Sequence, residues 1–364
     1  MALQWCVSTS RSEALPFGAV PSAQRFVGAV WVGDHPSGRP VQDALEALGS
    51  VGIDRRALVL RVSAPRGTEE QTLAELGLPG CQMLLAAPPP GFPGRLRPEL
   101  GPCLTLELPL GPPCSTGCGP GCPCGRYRQL AYGQVVRRVR LRDGRLVPES
   151  RPTFELLLPE YAVMCALAEV RSPFALPELR PLMDGLAAAV PDFAAGRCRE
   201  SEGLMVADRL SAVALLLGSG VTPGPRGRAH VTRRLLRGAA ATTALAGGSP
   251  SGVTRLLSLA DATVRVPLGL PRLTDHALAT VEREIGAFER VLTLGHARFL
   301  DAVRTLRGPE EVPPLLVRLR SEQGLPLGLL LSWCRQHDLA LSLREVAELD
   351  LTLRAGGSNE ADPS

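Results

Sequence analysis

Apolar positions recur at helical spacing through most of the second half of the chain. In parts of the first half they alternate with polar ones. Between Leu204 and Leu217, the residues Met205, Val206, Leu210, Val213 and Leu217 fall together, which predicts a helix with one buried face. Pro223, Gly224, Pro225 and Gly227 then end it. A second helix is predicted from near His230, with Val231, Leu235 and Ala239 on one side. The longest regular pattern runs from Asp275 to Leu306. Leu278, Val281, Ile285, Phe288, Leu292, Gly295 and Phe299 step by three and four there, the mark of a long helix with a narrow seam, and Asp275 is placed to cap it. Leu179, Leu182, Met183, Leu186 and Val190 predict a further helix.

In the first half, Val41, Ala44, Leu45 and Leu48 predict a short helix leading into a strand over Ala57–Val62. A helix over Thr68–Leu78, strands at Met83–Leu85 and Leu104–Leu108, and a Pro/Gly-rich loop from Pro88 to Pro102 follow in order. Gln134 to Leu141 alternates apolar and basic residues, and Asp143-Gly144 reads as a hairpin turn back into Leu146-Val147. Strands gathered early and helices late make the fold class α+β.

A chain of 364 residues can hold two domains with separate cores. No apolar run approaches the roughly 20 residues of a membrane span, and Leu204–Leu217 carries Asp208 and Arg209. No membrane partner is expected. The net charge is only +4, so a nucleic-acid site has to be a local patch. All 40 basic residues are arginine, for which GC-rich codon usage is the plain reading; the charge does not titrate. Arg226 and Arg228 lie in the turn before the second helix, with Arg233, Arg234 and Arg237 on it. Five guanidinium groups at a helix start can fork onto phosphate oxygens, and the helix start itself favours an anion. A solvated basic face is the bland alternative. Ten scattered cysteines fit a reducing compartment. Ser8, Ser10, Ser12, Arg11 and Arg25, against Glu13, give the N-terminus a faint transit-peptide character, so a mitochondrial or cytoplasmic location is expected.

The stretch 204–241 resembles the helical tRNA-recognition region of alanyl-tRNA synthetase. Ala207-Asp208-Arg209, Ser219-Gly220, Gly227-Arg228 and Arg233-Arg234 stand where that family has Ala-Asp-His, its turn, its Gly-Arg-Gly loop and its Leu-Arg-Arg helix. Earlier segments are collinear with the later half of the family's catalytic domain. They are Trp31 with Gly33-Asp34, Ile53-Asp54-Arg55, Leu76-Gly77-Leu78-Pro79, and Asp143-Gly144 with Leu146 and Pro148. Glu178-Leu179-Arg180-Pro181-Leu182, the Phe288, Leu292 and Gly295 helix, and Gly324-Leu325-Pro326-Leu327 continue the match. The sequence is most like the mitochondrial form. The resemblance implies a partial class II synthetase-like antiparallel sheet domain over 1–155. A mostly helical tRNA-recognition-like domain over 156–355 and a disordered tail over 356–364 would follow it. The family's first motif, its editing domain and its C-terminal domain have no counterpart.

The resemblance fails at the chemistry. The family's third motif, Asp-Thr-Gly-Met-Gly-Leu-Glu-Arg, corresponds to Glu155–Val163, which has no glycine and no arginine. Glu155 stands near the family's amino-group-binding aspartate, and Ala131-Tyr132 near its Trp-Asn pair. Pro225 and Gly328 replace the asparagine and aspartate that read the acceptor-stem G:U pair, so base readout is lost while phosphate contacts can persist. No catalytic residue is assigned. The expected function is a degenerate, non-catalytic module binding tRNA or other structured RNA, or docking on an active aminoacyl-tRNA synthetase through the 278–299 seam. The alternatives are ATP-dependent alanine–tRNA ligation and a structural interaction role. ATP is expected only if the ancestral activity persists. Cys114, Cys118, Cys122 and Cys124 fall in the segment that replaces the family's Thr-Gly-Pro-Cys-Gly-Pro-Cys loop. Four thiolates could hold zinc, but C-x3-C-x3-C-x-C is not a pair of knuckles, and inherited loop cysteines without a metal are the expectation.

Overall fold

The computed structural model describes residues 2–7, 21–33, 38–63, 82–85, 101–196 apart from 121, 123, 125, 142 and 171, then 200–339, and 341–352 apart from 343, 347, 350 and 351. The helix expected over Thr68–Leu78, the Leu76–Pro79 match, most of the Pro88–Pro102 loop, Asp34, the serines near the N-terminus and the 356–364 tail lie outside the described residues. The chain divides into two compact units, with the boundary between Leu176 and Pro177.

The first unit is a seven-stranded sheet. Its strands are β1 (Ala2–Val7), β2 (Ala23–Val32), β3 (Val59–Ser63), β4 (Gln82–Leu85), β5 (Cys103–Pro109), β6 (Tyr127–Arg140) and β7 (Leu146–Pro159). They lie in the order β1-β2-β7-β6-β5-β3-β4. Neighbours are antiparallel except β3 and β4, which run parallel. Residue 155 sits inside β7, paired with both Val30 and Gln134, so the sheet unit extends past it. The Asp143-Gly144 turn forms as the pattern predicts. Gly144 takes φ +86°, which suits a residue without Cβ, and the Asp143 carboxylate accepts from the backbone N–H of Arg145 at 3.0 Å.

One face of this sheet carries the core. Leu60 and Val62 of β3, Leu104 and Leu106 of β5, Ala131 and Val135 of β6, and Phe154 and Leu156 of β7 pack with α1 (Gly38–Ser50) through Val41, Ala44, Leu45 and Leu48. Helix α2 (Glu160–Leu167) adds Ala162 and Ala166. Asp54 caps a short 3-10 turn over Arg55–Ala57, its carboxylate accepting from Arg56 at 2.9 Å. That turn delays the strand expected from Ala57 until Val59. Because side chains alternate along a strand, Arg61, Thr105, Glu107, Tyr132 and Gln134 fall on the opposite face. All five are buried.

The described part of the second unit is helical: α3 (Arg180–Ala189), α4 (Glu200–Gly218), α5 (Gly227–Leu245), α6 (Gly252–Ala260), α7 (Asp275–Val303), α8 (Val312–Gln323) and α9 (Leu327–Gln336). In α4, Val206, Leu210, Val213 and Leu217 are buried as their spacing predicts, but so are Ala207, Asp208, Ala212, Ala214 and Leu215, so burial extends beyond the one expected face. Helix α5 begins at Gly227, three residues before the expected start at His230. Its buried face is wide, taking in Thr232, Leu235, Leu236, Ala239, Ala240 and Thr243. Gly238 lies against the Arg209 side chain of α4, and a Cβ there would stand 2.8 Å from its Nη1. The seam of α7 buries Val281, Ile285, Phe288, Gly295 and Phe299. Its cap is Thr274, whose hydroxyl accepts from Ala277 N–H at 3.2 Å. Asp275 is already the first helical residue, so its backbone geometry is that of the helix and not of a cap.

Candidate functional site

The basic helix start is the first candidate. Arg226 is the residue before α5 and has extended backbone, and no side chain caps the helix. The first N–H groups of the helix have no capping bond from the Arg226 side chain, and Arg226, Arg228 and Arg234 near them are exposed. Arg233 and Arg237 are placed differently. Glu284 of α7 lies 3.2 Å from Nε of Arg233 and 2.7 Å from Nη2 of Arg237. Arg237 also sits over the Phe288 ring at 5.2 Å. Glu284 is 11% exposed, and the two guanidinium groups are 29% and 21% exposed. The five arginines thus split into three that face solvent and two that join α5 to α7. The sequence did offer a sign of Glu284, which stands one helical turn before Phe288 at the flank of the seam.

The polar face of the sheet is the second candidate. Arg61 lies 3.2 Å from Glu107, with the two side chains 6% and 1% exposed. Thr105 Oγ1 donates to the same carboxylate at 3.0 Å, and Gln129 Nε2 reaches it at 3.4 Å. The register pairs Arg61 with Thr105 and places Glu107 opposite Gln129. Strand alternation carried a hint of this cluster, because Arg61 falls between Leu60 and Val62 and Glu107 between Leu106 and Leu108. At the strand–helix junction that matches the third motif, Pro159 leads directly into α2 and Glu160 opens it. Glu160 pairs with Arg25 of β2, which donates through Nε at 2.6 Å and also through Nη2. That hydrogen bond holds the Arg25 guanidinium above its ordinary pKa, against the opposing pull of burial. Glu155 is exposed on β7. Ala131 and Tyr132 are consecutive on β6 and both buried, on opposite faces of the sheet.

The third candidate is the loop between β5 and β6. The Sγ atoms of Cys114, Cys118, Cys122 and Cys124 all lie within 4.8 Å of one another. The shortest separations are 3.5 Å between Cys114 and Cys122 and 3.7 Å between Cys118 and Cys124. Cys118 is drawn down to about 7, led by a hydrogen bond from the Cys114 backbone. Cys114 is pushed up to about 12, led by its hydrogen bond with the Cys122 thiol. The spacing alone argued against a metal, yet the fold gathers the four sulfurs into a cluster that could bind one. Two local turns supply what the spacing hid. Cys118 N–H bonds to the carbonyl of Ser115 at 3.1 Å and Cys122 N–H to that of Gly119 at 3.0 Å.

Among known proteins, the chain matches alanine–tRNA ligases. One from Mycobacterium sp. (strain KMS) is 28% identical over 269 residues, covering 69% of this chain and 29% of the relative. One from Mycolicibacterium gilvum is 29% identical over 60% of this chain and 25% of its own length. One from Desulfosudis oleivorans is 24% identical over 67% and 29%. The chain is alanyl-tRNA synthetase-like. It spans under a third of the length of these curated relatives. No family profile matches it. Among the described residues, no helix of this alanyl-tRNA synthetase-like chain is long and apolar enough to cross a membrane.

Proposed function

We propose that this alanyl-tRNA synthetase-like chain binds tRNA or another structured RNA through its phosphates and does not activate alanine. The second unit serves as the RNA-binding module, and the sheet unit retains a synthetase-like scaffold without its reaction. The observation that carries this is the exposure of Arg226, Arg228 and Arg234 around the uncapped start of α5. Guanidinium groups and helix N–H groups there offer the fork geometry that phosphate oxygens accept. Base readout is not part of the proposal. Pro225 has no side-chain donor or acceptor, and Gly328 has no side chain at all. Adenylate formation requires preorganised positive charge at the ATP phosphates. The segment matching the third motif places Glu160 at the start of α2, paired with Arg25. Arg61 on the polar sheet face is committed to Glu107.

The test has two arms. Pure protein is assayed for alanine-dependent ATP–pyrophosphate exchange, and for binding to tRNA for alanine beside a G:C-stem variant. Binding of both RNAs with equal affinity and no exchange supports the proposal. Robust exchange would establish the second reading, an ATP-dependent alanine–tRNA ligase, which is favoured by the names of the relatives the chain matches. Co-purification with an active aminoacyl-tRNA synthetase without RNA would instead support a docking role for the α7 seam.

A further inference from the structure

We propose that Cys114, Cys118, Cys122 and Cys124 bind one zinc ion as a tetrathiolate that staples the loop between β5 and β6. A tetrahedral zinc site with sulfur ligands at about 2.3 Å spaces its sulfurs by about 3.8 Å. The two shortest pairs here stand at 3.5 and 3.7 Å, and all four sulfurs lie within 4.8 Å. These two pairs share no cysteine, so they form opposite edges of one tetrahedron. A disulfide would need about 2.05 Å, so neither pair is bonded. The four ligands meet in space although no two of them follow knuckle spacing, because a turn sits between each of the first three.

The loop has little else to hold it. Between Leu110 and Tyr127 the sequence contains only Gly, Pro, Ser, Thr, Cys and Arg. Residues 111–117 are exposed. No aliphatic side chain is present to form a small core, and burial cannot meet the ordering cost of such a segment. Its base is closed by one backbone bond, Leu110 N–H to the Arg126 carbonyl at 2.8 Å, and one from a side chain, Arg126 Nε to the Gly111 carbonyl at 2.8 Å. A metal gathered by side chains at the tip supplies the missing constraint, as in small domains whose folding is coupled to zinc. Four soft ligands in a tetrahedral arrangement suit zinc, which needs no redox partner. Each thiol gives up its proton on binding, so uptake releases protons to solvent.

The proposal is independent of the RNA reading and fails or stands on its own measurement. The full chain is purified under reducing conditions without chelator, and its metal content is measured. It is then stripped and titrated with cobalt(II) in the absence of oxygen. The expected result is one zinc per chain, then visible bands of a tetrahedral cobalt thiolate that saturate at one equivalent and vanish when zinc is added. Cys118→Ser should lose the bound zinc and those bands, with its circular dichroism spectrum retained. Cys334→Ser, altered at a buried thiol in the other unit, should keep both. Full zinc content in Cys118→Ser, or stripped protein that shows no cobalt thiolate bands, overturns the proposal. So does native protein that carries iron, or disulfides among these four cysteines.

Discussion

Replacing Arg226, Arg228, Arg234 and Arg237 one at a time by Gln turns the division among these arginines into numbers. Each phosphate contact contributes about 0.9 to the negative slope of log affinity against log salt, taking the duplex value. Raising salt from about 50 to 200 mM then costs roughly 3.5-fold in affinity per arginine. If only the three exposed arginines touch phosphate, the slope is about −2.7 and the loss about 40-fold. If all five do, the slope is about −4.5 and the loss about 500-fold. The proposal assigns these contacts to the three exposed arginines, since Glu284 already neutralises Arg233 and Arg237 at 3.2 and 2.7 Å. Fluorescence anisotropy with labelled tRNA over a salt series gives both quantities. Arg226→Gln, Arg228→Gln and Arg234→Gln should each flatten the slope by about 1. Arg237→Gln should leave the slope unchanged and lower the thermal midpoint instead, because it removes one partner of Glu284 and a contact with Phe288. The reasoning is refuted if Arg237→Gln flattens the slope as much as Arg228→Gln does.

Three further outcomes follow from packing. Asp261→Ala should destabilise the chain by about 3–5 kcal/mol in thermal unfolding, because it strands the buried guanidinium of Arg265, 2.9 Å away, without its carboxylate; the paired Asp261→Leu, Arg265→Met variant should recover most of that. Gly238→Val should cost about 1–3 kcal/mol, since its branched side chain must displace Arg209 from the surface of α5, whereas Gly238→Ala should be close to neutral, because the Arg209 end can shift and alanine is favoured over glycine in a helix by about 1 kcal/mol. Burial pushes the Cys165 and Cys334 thiols up to about 11, and a thiol with a raised folded-state pKa stabilises the fold below its unfolded value and loses that contribution as pH rises toward the folded one. Stability should therefore decline from about pH 9 toward pH 11, and Cys165→Ala with Cys334→Ala should flatten that limb of the curve.

Helical periodicity made part of the second unit legible, though α6 and α8 were not expected from it. Val206, Leu210, Val213 and Leu217 repeat with the period of a helix that buries one face, and they do so whatever packs on that face. The Asp143-Gly144 turn was legible for a similar reason, since its chemistry is local. Errors arose where a local signal had a neighbour of equal strength. Thr274 and Asp275 both favour a cap, and only the backbone angles assign the role to Thr274. The Pro/Gly turn ahead of α5 hid a start at Gly227. The candidate sites were legible only in part, because they depend on partners far apart in sequence. Helix and strand periods mark Glu284 and Glu107 as unusual positions, but nothing in the sequence pairs them with Arg233 or with Arg61 until the elements are packed. The cysteines were visible as a group, but their convergence rests on two tight turns that ligand spacing does not encode.

The absence of lysine sharpens what a buried cation means in this chain. A buried lysine can shed its proton, whereas arginine stays charged and must be given an anion or several acceptors. The fold meets that demand repeatedly. Arg61 has Glu107. Arg265 has Asp261, together with the carbonyls of Ala214 and Pro271. Arg233 and Arg237 share Glu284. Each of these carboxylates is itself largely buried, so none of the pairs can be explained as a loose surface contact that a ligand would displace at little cost. A phosphate approaching Arg237 would have to compete with a carboxylate 2.7 Å away and would meet repulsion from it. At Arg226 and Arg228 it would meet uncapped helix N–H groups instead. Counting arginines in a sequence therefore overstates an RNA-binding face, and counting the carboxylates that claim them corrects it. That correction separates the arginines held by buried carboxylates from Arg226 and Arg228, which are exposed at the helix start.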